Sequence, residues 1–379
     1  MKIPFHRPFW SDVEEKNLIE VISHSDGSGD GRFTERVKKH LRQIYGTEKV
    51  LLTGSASLAL EMAIRLTGLQ PGEEVIMPSF NFPSAANSVL LAGGIPVFVE
   101  TGLDLMIDSA AVRRAVTERT KGILLVHYGG AAADIEDLMV LAQERKLWIV
   151  EDAAQGFGVK DKEGNPVGTR GDFGVVSFHG TKVVSAGEGG ALIVNQKNQA
   201  VWERALCMHQ KGTNRNAYLE GTIDRYSWQG IGMSACPSEF QMAILDAQLE
   251  KMDEILEKRR NLWHCYHRAL APFMGDAVRM ADKGSQNGHI FWLCFEEVEK
   301  AKLFQSWMRG HGIAVYSHFV PLHATAFGRQ FRGVGQEALD EEASLQDRVM
   351  RLPIYPSLKE KEQNKVIQCV REFLKENLQ

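Results

Sequence analysis

An α/β architecture, with a large and mainly parallel sheet beside a smaller α+β unit, is predicted by three features of this sequence. Short β-branched runs alternate with amphipathic stretches of helical length from Lys49 to Asn195, the pattern of consecutive βαβ units. From about Ser238 that alternation gives way to sustained helical periodicity, which marks a change of domain. The 379 residues, 44% of them hydrophobic, also exceed what one hydrophobic core usually organises. The division predicted is residues 1–245 for the large domain, including an N-terminal arm, and 246–379 for the smaller one.

Taken in order, KVLLT (49–53) is a strand and SLALEMAIRL (57–66) its helix. EEVIMP (73–78) with SAANSVLLA (84–92), and PVFVE (96–100) with DSAAVRRAV (108–116), repeat the unit. GILLVHY (122–128) precedes the helical DIEDLMVLAQERK (134–146), and LWIVED (147–152), GVVSFHG (174–180) and ALIVN (191–195) supply the remaining strands. FQMAILDAQLEKMDEILEKRRNLWHCYHRAL (240–270) keeps helical spacing throughout and predicts one long helix linking the domains. After it, GHIFWLCFEEV (288–298), AKLFQSWMRGHG (301–312), AVYSHFV (314–320) and KEKEQNKVIQCVREFLKE (359–376) compose the α+β unit.

Composition excludes several functions. Lys plus Arg number 44 against 48 Asp plus Glu, a net charge of −4, which supplies no basic field for nucleic acid or an anionic membrane. A phosphate-bearing ligand has to be met locally. Cys207, Cys236, Cys265, Cys294 and Cys369 are odd in number, scattered and without CxxC spacing, which argues against a disulfide framework or zinc site and for a reducing cytoplasm. The opening MKIPFHRPFWSDVEEKN lacks an apolar stretch of signal-peptide length, and no run of about 18 apolar residues occurs, so neither secretion nor membrane spanning is expected.

In a parallel sheet, ligands gather beyond the carboxyl ends of the strands. The positions to weigh are therefore Gly54, Pro78 to Phe82, His127, Asp152 and His179 to Lys182, each just past an apolar run. Every one has a plain structural reading beside a chemical one. Asp152, ending a strand in VEDAAQG, either caps the next turn or keeps a pyridine nitrogen protonated so that the ring becomes an electron sink. Lys182, in SFHGTKVVSAGEGG, is either a snorkelling surface lysine or a partly desolvated amine suited to carbonyl chemistry and proton transfer. Gly180, Gly187, Gly189 and Gly190 around it favour close backbone approach to a ligand. Gly54, Ser55 and Ser57 in TGSASLALEMA open a helix: Ser55 caps it, or its first amides bind a phosphate with help from the Ser177 hydroxyl. Phe82 is core, or a flat platform for a planar group. No member is specific alone, but phosphate cradle, aromatic platform, carboxylate and lysine in that chain order are.

With these motifs the chain resembles the DegT-type nucleotide-sugar aminotransferases, a branch of the fold-type I enzymes that use pyridoxal phosphate (PLP). The likeness runs through TGSASLALEMA, VEDAAQG and SFHGTKVVSAGEGG to SHFVPLH and MRLPIYPSL, nearly the whole chain. KGTNRNAYLEGTIDRYSWQGIG is similar to members that act on dTDP-4-keto-6-deoxyhexoses for bacterial surface glycans. The resemblance implies Lys182 as the Schiff-base lysine, Asp152 at the pyridinium nitrogen, Gln155 near the phenolic oxygen and Phe82 on the ring. It implies Ser55, Ala56 and Ser177 at the phosphate, with Gly54 and His179 beside them.

The resemblance also implies a homodimer with shared active sites. Ser234 of GMSACP stands where many relatives have an Asn that reaches the partner's cofactor phosphate. A Tyr of the family's Y-x-P-L-H stretch is Phe319 here, leaving His318 and His323 as the polar members toward substrate. Lys211 and Arg215 of KGTNR are either solvated charge or pyrophosphate contacts. No carboxylate completes a metal set with His318 and His323 or with His264 and His267, and no metal is expected. The implied reaction is ping-pong transamination in the cytoplasm. L-Glutamate becomes 2-oxoglutarate while PLP becomes pyridoxamine phosphate, and the amine then passes to C4 of the keto-sugar. The product is dTDP-4-amino-4,6-dideoxygalactose or its gluco epimer. The alternatives are another nucleotide-sugar 3- or 4-aminotransferase, a PLP-dependent sugar dehydratase and a non-catalytic nucleotide-sugar sensor, against which Lys182 and Asp152 together favour transamination.

Overall fold

The computed structural model of the protein describes residues 2–24, 27–281, 285–331 and 333–377. Seven strands form one sheet in the order β1-β7-β6-β5-β4-β2-β3. They are β1 (Val50–Thr53), β2 (Glu74–Pro78), β3 (Ile95–Val99), β4 (Thr120–Val126), β5 (Trp148–Asp152), β6 (Phe173–Ser177) and β7 (Gly190–Val194). β7 runs antiparallel to both β1 and β6, and every other pairing is parallel. The mainly parallel α/β sheet predicted from the alternating runs is therefore the sheet observed, with strand ends within the fraying of assigned boundaries.

Alternation along the strands sends side chains to two cores. Leu51, Met77, Leu124, Val150, Val175 and Leu192 pack with the helix Ala56–Leu66 on one face. Ile76, Val97, Ile123, Leu125 and Ile149 pack on the other, under the helices Ser109–Ala115 and Glu136–Arg145. Burial on both faces is why these strands read as continuous apolar runs.

The C-terminal unit holds an antiparallel sheet in the order β10-β9-β8, formed by β8 (Val278–Met280), β9 (Phe291–Phe295) and β10 (Val349–Leu352). Phe291, Leu293, Phe295, Met350 and Leu352 face a separate core beneath the helices Met252–Leu270, Val298–Gly310 and Glu360–Asn377. The opposite side chains, Trp292, Cys294 and Val349, join the core of the large sheet and so fasten the two units face to face. Ile3 also packs in the C-terminal core and bridges Ile313.

One expectation is corrected. The single helix expected over 240–270 is two, Glu239–Glu250 and Met252–Leu270, with Lys251 between them at φ −99°, ψ 8°. Met242, Leu245 and Leu249 of the first address the core of Phe33, Val37 and Leu41. Trp263, Tyr266 and Leu270 of the second address the C-terminal core. The break lets two apolar faces that are continuous in sequence point at different cores. Among the described residues no helix is long and apolar enough to cross a membrane.

Candidate active site

A cavity of about 610 Å³ lies where β1, β2, β4, β5 and β6 end, closed on its far side by residues of the C-terminal unit. Its size and position are those of a small-molecule site at the carboxyl edge of an open α/β sheet. Ser55, Ala56, Phe82, Asp152, Gln155, Ser177 and Lys182 line the sheet side, and Arg259, His289, His318 and Arg351 line the other.

On the sheet side, Ser55 caps the helix Ala56–Leu66 by accepting a hydrogen bond from the Leu58 amide at 3.3 Å. The plain structural reading of Ser55 thus holds for its hydroxyl. The amides of Ala56 and Ser57 nevertheless have no acceptor among the described residues, which leaves unpaired donors at a helix start, a ready anion site. Gly190, at the start of β7, lies so near that a Cβ there would stand 2.5 Å from the Ala56 nitrogen. Ser177 ends β6, buried, its hydroxyl accepting from the His179 amide at 3.3 Å.

Asp152 is the last residue of β5 and is buried. One carboxylate oxygen accepts from the Ala154 amide at 2.9 Å, so the turn cap is also real. Burial pushes its pKa up, opposed by that amide and by the charge of Lys182. Its neighbour Glu151 points to the opposite side of the strand and anchors it there. Glu151 accepts from the amides of Gly168, Arg170 and Gly171 at 2.8, 2.7 and 2.6 Å. His127 Nε2 donates to the same carboxylate at 2.9 Å, because His127 Nδ1 already accepts from the Ala133 amide at 3.1 Å. His127 is therefore committed to holding β5 and does not line the cavity.

Lys182 is half-buried at the cavity. Burial pushes its ammonium down to about 8; the attraction of Asp152 opposes this and the repulsion of Arg351 adds to it. An amine so poised is nucleophilic near neutral pH. Gln155 is buried and accepts at Oε1 from the Gly129 amide at 2.9 Å, which assigns Nε2 as the donor for the cavity. Phe82 is 57% exposed although aromatic, an open ring face on the cavity wall. His179 sits exposed at the rim, its Nδ1 2.9 Å from Thr181 Oγ1. Gly54 lies behind the cradle, its amide donating to the Ala235 carbonyl at 2.9 Å.

The remaining expected residues divide. His318 lines the cavity, bonded through Nδ1 to the Tyr128 hydroxyl and stacked on Phe319 at 3.8 Å. Burial pushes its imidazole well below its usual value. His323 sits outside the cavity lining, its Nδ1 2.5 Å from Ser79 Oγ. Lys211, Arg215 and Ser234 also lie off the cavity of their own chain but close to one another. The Lys211 amide donates to Met233 O at 3.0 Å, Ser234 bridges Gln210, and Arg215 pairs with Asp30 at 3.3 Å.

Asn81 falls within the stretch Pro78 to Phe82 that the sequence singled out, whereas Arg259, His289 and Arg351 are among the cavity residues that reading the sequence missed. Asn81 Nδ2, Arg259 Nε and His289 Nδ1 are buried without a hydrogen-bond partner among the described residues. Arg259 Nη1 donates to Ile354 O at 2.9 Å, and burial pushes the guanidinium down to about 10. The signal available for Arg259 was its place in the apolar stripe Ile255, Leu256, Trp263, Tyr266, Leu270, a charge at a buried register. Away from the cavity, Glu136, Asp161 and Glu163 approach one another, but all three pair with Arg170, a cation already in place.

Comparison with known proteins finds relatives over nearly the whole chain. The profile described as the DegT/DnrJ/EryC1/StrS aminotransferase family matches residues 11–371. The pleiotropic regulatory protein of Geobacillus stearothermophilus is 32% identical over 95% of this chain and 94% of its own length. The GDP-perosamine synthase of Caulobacter vibrioides is 30% identical over 74% of this chain and 73% of its own. Among solved structures, the aminotransferase TlmJ from Streptoalloteichus hindustanus shares the fold at a TM-score of 0.88 and 23% identity, covering 99% of this chain and 100% of that one.

Proposed function

This chain belongs to the DegT/DnrJ/EryC1/StrS aminotransferase family, and from that premise we propose that it moves the amino group of L-glutamate to C4 of a dTDP-4-keto-6-deoxyhexose. The product is dTDP-4-amino-4,6-dideoxygalactose or its gluco epimer, made in the cytoplasm for a surface glycan. The chain is a PLP-dependent sugar aminotransferase, and the cavity suits that cofactor. Unpaired amides meet the need of a phosphate, a buried carboxylate that of a ring nitrogen, and a depressed lysine that of an aldehyde. The observation that carries the reading is the meeting of Lys182, Asp152 and the amides of Ala56 and Ser57 in one cavity.

When bound, PLP supplies the electron sink that lets a carbon next to nitrogen give up its proton. The residues do the rest. The amides of Ala56 and Ser57 and the Ser177 hydroxyl hold the phosphate, and Phe82 covers one ring face. Gln155 Nε2 donates to the ring hydroxyl oxygen. Asp152 keeps the proton on the ring nitrogen, stiffened by the four donors on Glu151. Lys182 would hold the cofactor's aldehyde, and its Nζ is placed to take the proton from the donor's α-carbon, general acid-base work by a positioned amine. The wall of Arg259, His289, His318 and Arg351 excludes water from that exchange.

Lys211, Arg215 and Ser234 act at the cavity of a second copy, toward the nucleotide diphosphate and the cofactor phosphate. Support for a homodimer comes from their shared loop, where Trp228 and Ile231 stand 78% and 76% exposed, more apolar surface than a lone chain usually leaves open. His318 contacts the sugar, and His323 steadies that wall through Ser79. A second reading, a GDP-linked 4-keto sugar, is favoured by the name of the Caulobacter relative, GDP-perosamine synthase. The segment KGTNRNAYLEGTIDRYSWQGIG favours dTDP.

The test is incubation of the PLP-loaded protein with L-glutamate and dTDP-4-keto-6-deoxyglucose, in parallel with the GDP-linked 4-keto-6-deoxymannose. Products are read by mass spectrometry and proton coupling. A 4-amino sugar with a small H3–H4 coupling establishes the galacto product, and a large coupling the gluco. Amination of the GDP sugar alone overturns the nucleotide. Loss of yellow colour with glutamate but no aminated sugar overturns the sugar assignment.

A further inference from the structure

Residues 285–289 of the C-terminal unit, just before β9, reach across to the two turns of the large sheet that follow β4 and β5. Asn287 is buried, and every polar atom of its amide is used. Nδ2 donates to the carbonyls of Gln155 and Phe157, at 2.9 Å each, and Oδ1 accepts from the His289 amide at 2.9 Å. Two carbonyls at one end and an N–H at the other leave this amide a single orientation. Beside it the buried Ser285 hydroxyl donates to the Gly129 carbonyl at 2.8 Å, and the Gln286 amide donates to the Gly130 carbonyl at 2.8 Å. The fit is close. A Cβ at Gly130, whose φ is +87°, would stand 2.0 Å from Asn287 Oδ1.

These contacts converge on one side chain. Gln155 Oε1 accepts from the Gly129 amide, so Ser285 fixes the residue that holds the head of Gln155 while Asn287 fixes the carbonyl at its root. With Oε1 engaged, Nε2 is the donor left for the cavity that Gln155 lines. Fastening the two units together accounts for the exposed bonds between Gln286 and Lys160, at 2.9 and 2.7 Å. Asn287 instead grips the residue whose amide has to be aimed, and a fully satisfied buried network of this kind is rigid.

We infer that Asn287 is a positioning residue for Gln155, aiming its Nε2 at the phenolic oxygen of the PLP ring. Asn287 itself lies outside the cavity lining, so the C-terminal unit sets the charge on that oxygen from behind. The inference rests on the aminotransferase reading above, in which Gln155 meets the ring, and adds what holds it there. Its consequence is a titration. The yellow form keeps a proton between the Lys182 nitrogen and the ring oxygen. A donor on that oxygen stabilises its negative charge and lets the proton leave at lower pH. A Gln155 no longer held in place should therefore raise the pH at which the yellow absorbance is lost.

The test is a spectrophotometric pH titration of the PLP-loaded protein without substrate. Gln155→Leu should raise the midpoint by about 1–2 pH units, the worth of one hydrogen bond to a charged oxygen. Asn287→Ala should raise it by about 0.5 unit or more, and adding it to Gln155→Leu should move the midpoint no further. Ser285→Ala, which frees Gly129 alone, should give a smaller rise in the same direction and serves if Asn287→Ala does not fold. A wild-type midpoint in these folded variants, beside a raised one in Gln155→Leu, overturns the positioning role and leaves Asn287 a fastening between the units. A further rise in the double variant overturns it too, since Asn287 would then act by another route. If Gln155→Leu itself titrates as wild type, Gln155 does not meet the ring oxygen and the inference falls with that placement. A colourless wild type sinks the aminotransferase reading itself.

Discussion

On the sheet side of the cavity Lys182 faces Asp152, one cation against one carboxylate, whereas on the C-terminal side Arg259 and Arg351 donate to the carbonyls of Ile354 and Ser317 and have no carboxylate partner among the described residues. Burial depresses the cations on both walls, but only the first wall contains its own counter-charge. A self-balanced wall is a permanent instrument, ready before anything binds. An unbalanced one costs stability until an anion arrives, and that cost becomes selectivity for the anion.

The largest effect should come from breaking the balanced pair. Lys182→Ala is expected to abolish the yellow colour and lower amination by about 10²–10⁴-fold or more, read by visible spectroscopy and turnover; a coloured, active variant would move the chemistry elsewhere. Asp152→Asn should cost about 10- to 100-fold. It should also drop the Lys182 amine below its value of about 8, since the attraction that opposes burial is gone. The pH dependence of colour formation in the two proteins checks this.

The same balance sets a pH signature in the wild type. Colour formation by the apoprotein should rise with pH and level off above about 8, where an ordinary lysine would climb on toward 10.5. The sign for stability follows. Between about 8 and 10.5 the unfolded chain holds a proton on Lys182 that the folded one does not, so stability due to this group rises with pH through that window. Denaturant midpoints compared between wild type and Lys182→Met isolate it.

The unbalanced wall should respond in the opposite sense. Arg351→Met removes a partly desolvated charge, so the apoprotein is expected to keep its stability or gain about 1 kcal/mol. A loss of more than about 2 kcal/mol in urea unfolding would instead make the guanidinium a structural strut. The smallest effect on activity is expected at Glu239, buried and outside the cavity lining. There it accepts from the amides of Gly31, Phe33 and Thr34 at 3.1, 2.8 and 3.0 Å. Glu239→Gln should cost about 1–3 kcal/mol of stability and leave glutamate affinity unchanged.

The two walls also differ in how far they could be read from the sequence. Asp152 and Ser177 end their strands and Ser55 and Lys182 follow theirs within a few residues, so their place along the chain is also their place on the sheet edge. Arg259 and Arg351 lie inside regular elements, and what makes them cavity residues is which neighbours the second unit packs against. Lys251 was illegible for a related reason, because apolar spacing runs through it unbroken while the core being addressed changes. Reading chain order alone likewise could not separate His318, which reaches the cavity, from His323, which turns to Ser79.

Ser55 and Arg351 line one cavity from opposite ends of the chain, and this bears on how the protein is made. During synthesis the sheet can assemble while the C-terminal unit is still in the ribosome, since domains tend to fold in the order they emerge. The cavity has one wall until Arg351 is out and β10 has paired with β9. A newly made chain therefore passes through a period with an open sheet edge and a cofactor cradle facing water. Whatever binds only the finished cavity pulls that last docking step forward, by about 2.7 kcal/mol at a hundredfold excess over its dissociation constant.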